Sequence, residues 1–195
     1  AMDAMSLKCA QELSDAHVDV MGYACLVAIM SMGRGYHCVS EVNLHQETVA
    51  NNFPTPIVTS AGALINGLKV LGAKQISIIT PYMRPLTDKV VDYIEHQGIK
   101  VKESIALEIP DNLEVAAQNP LNLLEIYKQL DLTDVDVLVA SACVQMPSLE
   151  AIDLIQAECG IPVTSAAVCT TYEMMKKLGI ETKSTIGGEL LNGKY

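Results

Sequence analysis

The chain has 195 residues, 13 Lys and Arg against 23 Asp and Glu, a formal net charge of -10, and 50% hydrophobic residues. This length suits one domain or two small lobes, and the composition excludes a disordered chain. The acidic balance excludes a nucleic-acid partner, because contacts with phosphates require clustered lysine and arginine. No apolar segment reaches the roughly 20 residues that span a membrane, so we expect no membrane partner.

The six cysteines form no CxxC pair and no cluster with histidine at zinc-binding spacing. A disulfide scaffold and a structural metal site are therefore not expected. Unpaired cysteines suit a reducing compartment, so the sequence predicts a cytoplasmic protein.

The predicted elements alternate between strand and helix. Residues 1–16 have helical spacing, and because an α/β domain usually opens with a strand, we expect the first strand of the first lobe to be missing from this chain. Short β-branched segments predict strands at 18–23, 75–80, 99–107, 135–141 and 161–168. Helical patterns lie near 61–71, 86–97, 120–130, 148–158 and 171–178. This alternation predicts an α/β fold with parallel sheets.

The two halves of the chain repeat one layout. The segment 19–27 is echoed by 136–144, and 56–61 is echoed by 162–166, each of the latter preceding a helix that ends in Leu-Gly. We predict two pseudo-symmetric lobes, each with a mainly parallel sheet flanked by helices, and an active site in the cleft between them. Residues 1–80 with the C-terminal part of the chain would form lobe 1, and residues 81–165 would form lobe 2.

Ligands of parallel α/β sheets bind beyond the carboxyl ends of the strands. Cys25, Tyr82 and Cys143 follow predicted strands. Cys25 and Cys143 occupy matching positions of the repeat, so we expect their thiols to face each other across the cleft as nucleophile and proton carrier. Pro147 suits the first turn of a helix, which would place Cys143 near the positive end of its dipole.

Cysteine is also among the most commonly buried residues, and for Cys9, Cys38, Cys159 and Cys169 we expect only a packing role.

The pairs Thr59-Ser60 and Thr164-Ser165 also fall between a predicted strand and a helix. Their hydroxyls could cap the helix, or the segment could hold a substrate carboxylate, and both interpretations remain open. Tyr82 is a further candidate hydroxyl donor.

Three segments resemble a known family. These are GYACLVAIMSMGRGYH (22–37), ITPYMRPLTDKVVDYI (79–94) and SACVQMPSLEAID (141–153), and they are similar to the maleate cis-trans isomerases of the aspartate/glutamate racemase superfamily. The resemblance covers essentially the whole chain. A Ser-Asn-Thr-Thr loop that follows the family's first strand has no counterpart in this sequence.

The resemblance implies a cofactor-independent conversion of maleate to fumarate, a reaction of nicotinate degradation. Cys25 would add to the substrate double bond to form a succinyl-cysteine-like adduct, and Cys143 would move the proton on the neighbouring carbon. Tyr82 and Asn112 would orient the carboxylates of this small dicarboxylate. The adjacent apolar positions Val27 and Val144 would contact the substrate.

The family and an exposed apolar helix face also suggest a homodimer. Two alternatives stay open. One is a two-thiol racemase of amino acids or hydantoins, and the other is a non-catalytic carboxylate-binding protein.

Overall fold

Parallel strands and helices alternate along most of the chain. The computed structural model describes residues 2–195. Its strands are β1 (Met21–Tyr23), β2 (Ile57–Thr59), β3 (Gln75–Thr80), β4 (Lys100–Ala106), β5 (Val137–Ser141) and β6 (Val163–Ser165). Its helices are α1 (Met2–Ser14), α2 (Leu26–Met30), α3 (Tyr36–Ala50), α4 (Ser60–Val70), α5 (Arg84–His96), α6 (Asn112–Ala116), α7 (Leu123–Ile126), α8 (Leu149–Cys159) and α9 (Ala166–Lys177).

The six strands form two parallel sheets. In the first, β1 pairs with β2, with Met21 opposite Ile57 and Tyr23 opposite Thr59. The second has the order β4-β3-β5-β6, and all of its pairings are parallel. The predicted α/β class with two helix-flanked parallel sheets is confirmed. Strand β3 belongs to the second sheet, so that sheet begins at Gln75. The lobe boundaries 1–80 and 81–165 stay a prediction.

The core lies around the two central strands of the larger sheet. Ile76 and Ile78 of β3 and Val137 and Val139 of β5 are fully buried. Strands covered by helices on both faces carry continuous apolar runs, which is why the sequence shows no alternation here. The carboxyl ends of β3 and β5 are therefore fixed by the best-packed part of the molecule.

One predicted boundary is wrong because a side chain caps the helix earlier than the apolar pattern indicates. The predicted strand 161–168 ends at Ser165, whose Oγ accepts a hydrogen bond from the Val168 N–H, so α9 begins five residues before the predicted 171. Helix α8 begins at Leu149 after Ser148. Pro147 therefore precedes the helix, and Cys143 does not lie at its N-terminus.

The predicted helix 120–130 is broken into 3-10 turns at Pro120–Asn122 and Tyr127–Gln129 on either side of α7. The described chain also contains α3, which the sequence pattern misses. No helix of the described part is both long and apolar enough to cross a membrane.

Helices α4 and α9 pack against each other through a glycine. A Cβ atom added at Gly67 would lie 2.6 Å from Cys169 Sγ and 3.2 Å from Leu190 Cδ2. The Cys169 thiol is buried, which raises its pKa to about 12, so this sulfur packs as a neutral group.

We expect Gly67→Ala to lower the free energy of unfolding by about 1–2 kcal/mol, because overpacking outweighs the helix propensity that alanine gains. Urea unfolding measures this change. In a Cys169→Ala background the same substitution should cost less, because the contact with the sulfur is gone while the 3.2 Å contact with Leu190 Cδ2 remains. An equal loss in both backgrounds would show that the contact with the sulfur is not the cause.

Candidate active site

One cavity brings together six of the ten predicted site residues. It has a volume of about 360 Å³ and opens at the carboxyl ends of strands from both sheets. The six are Cys25, Val27, Tyr82, Asn112, Cys143 and Val144. The structure thus places the two cysteines at matching positions of the repeat on the wall of one cavity.

Cys25 lies between a short strand and a short helix. Strand β1 ends at Tyr23, and Cys25 occupies the N-cap position of α2. Helix α2 buries Leu26, Ile29 and Met30 in the core. This anchoring holds the half-buried thiol of Cys25 at the cavity wall.

Cys143 lies in a loop that its own strand holds in place. The Ser141 hydroxyl donates to the Cys143 carbonyl at 2.9 Å and accepts from the Cys143 N–H at 3.3 Å. The next residue towards the strand, Ala142, donates its N–H to the Ile79 carbonyl at 3.0 Å. The position of Cys143 is therefore set by hydrogen bonds to β5 and β3. Its thiol is not next to the N-terminus of α8, where the helix dipole would act on it.

Tyr82 follows β3 and reaches across to the Cys143 loop. Its hydroxyl donates to the Ala142 carbonyl at 3.2 Å. Burial, followed by the neighbouring thiols of Cys143 and Cys25, raises the pKa of Tyr82 far above its ordinary value. The hydroxyl consequently keeps its proton at neutral pH and remains a hydrogen-bond donor beside both thiols.

Asn112 enters the cavity at the start of α6. The Asp111 carboxylate caps this helix by accepting from the N–H groups of Leu113 at 2.6 Å and Glu114 at 3.4 Å. The backbone carbonyl of Asn112 accepts a hydrogen bond from the Gln145 side-chain amide at 2.7 Å. Asn112 itself is exposed at the rim, where a side-chain amide could meet a carboxylate.

The two Thr-Ser pairs do not line this cavity. Thr59 Oγ1 accepts from the Gly62 N–H at 3.1 Å and donates to Glu41 Oε1 at 2.8 Å. Thr164 Oγ1 contacts Cys169 Sγ at 3.3 Å.

The serines of these pairs lie elsewhere as well. Ser60 is buried, and Ser165 caps α9 and lines a second cavity of about 530 Å³. The geometry supports the capping interpretation for Thr59 and Ser165 and brings none of the four residues to the two thiols.

The other cysteines have mixed environments. Cys169 is buried and Cys159 is half-buried, which fits packing, whereas Cys9 and Cys38 are exposed, so the expected packing role is wrong for these two.

Sequence reasoning missed part of the cavity wall. Leu86, Ile109, Val115 and Gln145 also line it. Gln145 lies two residues after Cys143 and could have been found from that motif. Ile109 and Val115 belong to a stretch with no predicted element, so no periodicity pointed to them.

The wall is uncharged. None of the described residues that line the cavity is Lys, Arg, His, Asp or Glu. The described part of the chain also contains no cluster of three or more His, Cys, Asp or Glu side chains that could hold a metal ion. The polar side chains that line the cavity are two thiols, the hydroxyls of Tyr82 and Ser31, and the amides of Asn112 and Gln145.

Comparisons with known proteins show the family to which the chain belongs. The arylmalonate decarboxylase family model matches residues 5–191. A maleate isomerase of Geobacillus stearothermophilus is 54% identical over 100% of this chain and 77% of its own length.

Solved structures of maleate isomerases share the fold of this chain. The crystal structure of the maleate isomerase Iso from Pseudomonas putida S16, a Cys-to-Ala variant with maleate, superposes with a TM-score of 0.98 at 57% identity, covering 100% of this chain and 78% of that one. A Cys-to-Ser variant of the Nocardia farcinica maleate cis-trans isomerase with a covalently bound succinylcysteine intermediate has a TM-score of 0.95 at 38% identity, covering 100% and 79%. The chain belongs to the arylmalonate decarboxylase family and, within it, to the maleate isomerases.

The raised pKa of Tyr82 gives a test of the site geometry. The folded protein should keep the Tyr82 proton above pH about 10, where an unfolded tyrosine loses it, so the associated stability is present below that pH and is lost as the pH rises. Raising the pH from about 8 to about 10.5 increases the absorbance of tyrosinate. This increase should be equal in the folded wild type and in folded Tyr82→Phe, because Tyr82 does not ionise in that range.

In denaturant the variant should show one tyrosinate fewer than the wild type, which has seven tyrosines. A smaller absorbance gain in the folded variant would mean that Tyr82 titrates normally and is not enclosed beside the thiols.

Proposed function

We propose that this protein is a maleate cis-trans isomerase that converts maleate to fumarate without a cofactor. The observation that carries the proposal is the placement of Cys25 and Cys143 on one uncharged cavity of about 360 Å³. Maleate isomerases at 54–55% identity support the choice of substrate.

Cys25 acts as the nucleophile in the first step. Its thiolate adds to one alkene carbon of maleate, and the electron pair of the double bond takes a proton from the Cys143 thiol at the other carbon. The product is a succinyl group bonded through carbon to the Cys25 sulfur. The Nocardia farcinica relative with bound succinylcysteine contains the adduct that this step would form.

The second step reverses the chemistry after a rotation. The former double bond is now single and turns freely enough to bring the carboxylates to opposite sides. The Cys143 thiolate then removes a proton from the carbon next to the C–S carbon, the double bond forms again in the trans geometry, and the Cys25 thiolate leaves. Atoms and protons balance, so no cofactor is required.

Uncharged donors hold the two carboxylates. Tyr82 is protonated, and its hydroxyl, which donates to the Ala142 carbonyl in this structure, would turn that proton to a substrate carboxylate. Asn112 offers an amide at the rim. Val27 and Val144 flank the cysteines and limit the space in which the adduct turns. Neutral donors bind the dianion without the tight ion pair that would resist rotation of one carboxylate.

The cell compartment and assembly belong to the same proposal. Six free cysteines among the described residues suit the cytoplasm. A homodimer is supported by α3, where Val39, Val42 and Val49 are exposed at spacings that place them on one helix face.

Cysteine variants test the mechanism. Cys25→Ala should abolish fumarate formation followed by NMR, whereas Cys143→Ser should lower the rate by about 100- to 10,000-fold and accumulate an adduct seen as a mass increase of one maleic acid. Cys38→Ser removes an exposed thiol and should keep full activity. Fumarate formation by Cys25→Ala would contradict the assigned nucleophile.

The α3 face gives a test of the dimer. Light scattering should find two chains per particle for the wild type and one for Val42→Glu, because a charge on an apolar interface is costly to bury. Leu154→Glu is the matched control, since Leu154 on α8 is 51% exposed and Val42 is 55% exposed. A wild-type monomer, or a dimer that survives Val42→Glu, would refute this interface.

A further inference from the structure

Helix α6, which carries Asn112, has little packing of its own. It is five residues long, with only Val115 buried, and Leu113 is 79% exposed. A helix this short is not stable by itself, because few hydrogen bonds offset its nucleation. The place of Asn112 in the cavity must therefore be set by contacts around the helix.

Backbone hydrogen bonds hold the chain before α6, but they stop short of Asn112. The N–H groups of Leu107, Glu108 and Ile109 donate to carbonyls of residues 80–82 at 2.9–3.3 Å. These bonds tie the segment to the loop that carries Tyr82. They end three residues before Asn112.

Gln145 supplies a bond at Asn112 itself. Its side-chain amide donates to the backbone carbonyl of Asn112 at 2.7 Å, which leaves the Asn112 side chain out of this bond. The Gln145 backbone belongs to the Cys143 loop, which Ser141 and Ile79 hold independently. The bond thus connects a well-anchored loop to a weakly anchored helix, and its loss should move α6 and not Cys143.

We infer that Gln145 is a positioning residue that sets Asn112 against the Cys143 side of the cavity. Given the proposed function, the Asn112 amide then meets the substrate carboxylate beside the carbon that exchanges its proton with Cys143. Gln145 acts through Asn112, and its contribution requires the Asn112 side chain.

A double-mutant cycle separates this role from a direct one. Gln145→Leu keeps the side-chain size and removes the donor, and it should lower kcat/KM for maleate roughly fivefold, mainly through KM, as expected for one accessible hydrogen bond. In an Asn112→Ala background the same substitution should change kcat/KM by less than about 1.5-fold. Equal losses in both backgrounds would overturn the inference.

Gln118, which lies two residues after the end of α6 and bonds back to it, offers a matched control. Its amide donates to the Glu114 carbonyl at 3.0 Å, away from the Cys143 loop. Gln118→Leu should leave kcat/KM within about 1.5-fold of the wild type. A fivefold loss in Gln118→Leu would show that any weakening of α6 suffices and would overturn the specific role of Gln145.

Hydrogen exchange tests the contact without relying on activity. The amides of residues 113–117 should exchange faster in Gln145→Leu, while those of 141–143 keep the wild-type rate. Unchanged exchange at 113–117 would overturn the inference even if maleate is converted. A wild type that converts no maleate but shows the faster exchange in the variant would refute the proposed function and leave the coupling of Gln145 to α6 standing.

Discussion

The parallel pairing of β3 with β5 is the constraint on which the rest of the site depends. The strands pair from Ile76 opposite Val137 to Ile78 opposite Val139, in the fully buried centre of the sheet. The Ala142 N–H continues this ladder by bonding to Ile79. Tyr82 and Cys143 are the residues that follow, so their proximity comes from backbone hydrogen bonds that the core protects from water. The reactive side chains at the cavity are thereby attached to the buried centre of the larger sheet.

An uncharged cavity suits a substrate with two negative charges when the reaction must let one end move. Taking a carboxylate out of water is expensive unless hydrogen bonds replace its hydration. The phenol of Tyr82 and the amide of Asn112 can do this, and the raised pKa of Tyr82 guarantees that its donor proton is present. The same arrangement accounts for an acidic chain with 13 basic residues that has none of them at its cavity.

Sequence reasoning found the thiols and Tyr82 because each lies two residues after the carboxyl end of a strand, where ligand sites of parallel sheets lie. It reached Asn112 only through the family resemblance, because the segment before α6 has no periodic pattern and its turn depends on contacts with residues 80–82. Helix α3 was missed for a related reason. Its buried face consists of His37, Ser40, Leu44 and Thr48, so three of its four inward positions are polar. The His37 ring bonds to the Tyr93 hydroxyl at 2.5 Å, a partner that no local pattern reveals.

The internal repeat places the two cysteines in matching order but not in matching surroundings. Cys25 is the N-cap of a helix, two residues after a three-residue strand. Cys143 lies in a loop closed by Ser141, six residues before α8 begins at Leu149. A two-base racemase needs opposed groups that do the same task on mirror-image faces of one carbon. An isomerase that adds, rotates and eliminates needs one thiol bonded to carbon and a different one that carries a proton to the neighbouring atom. The unequal backbone settings of Cys25 and Cys143 fit the second requirement. The two repeats differ around their cysteines because the two thiols have different tasks in such a reaction.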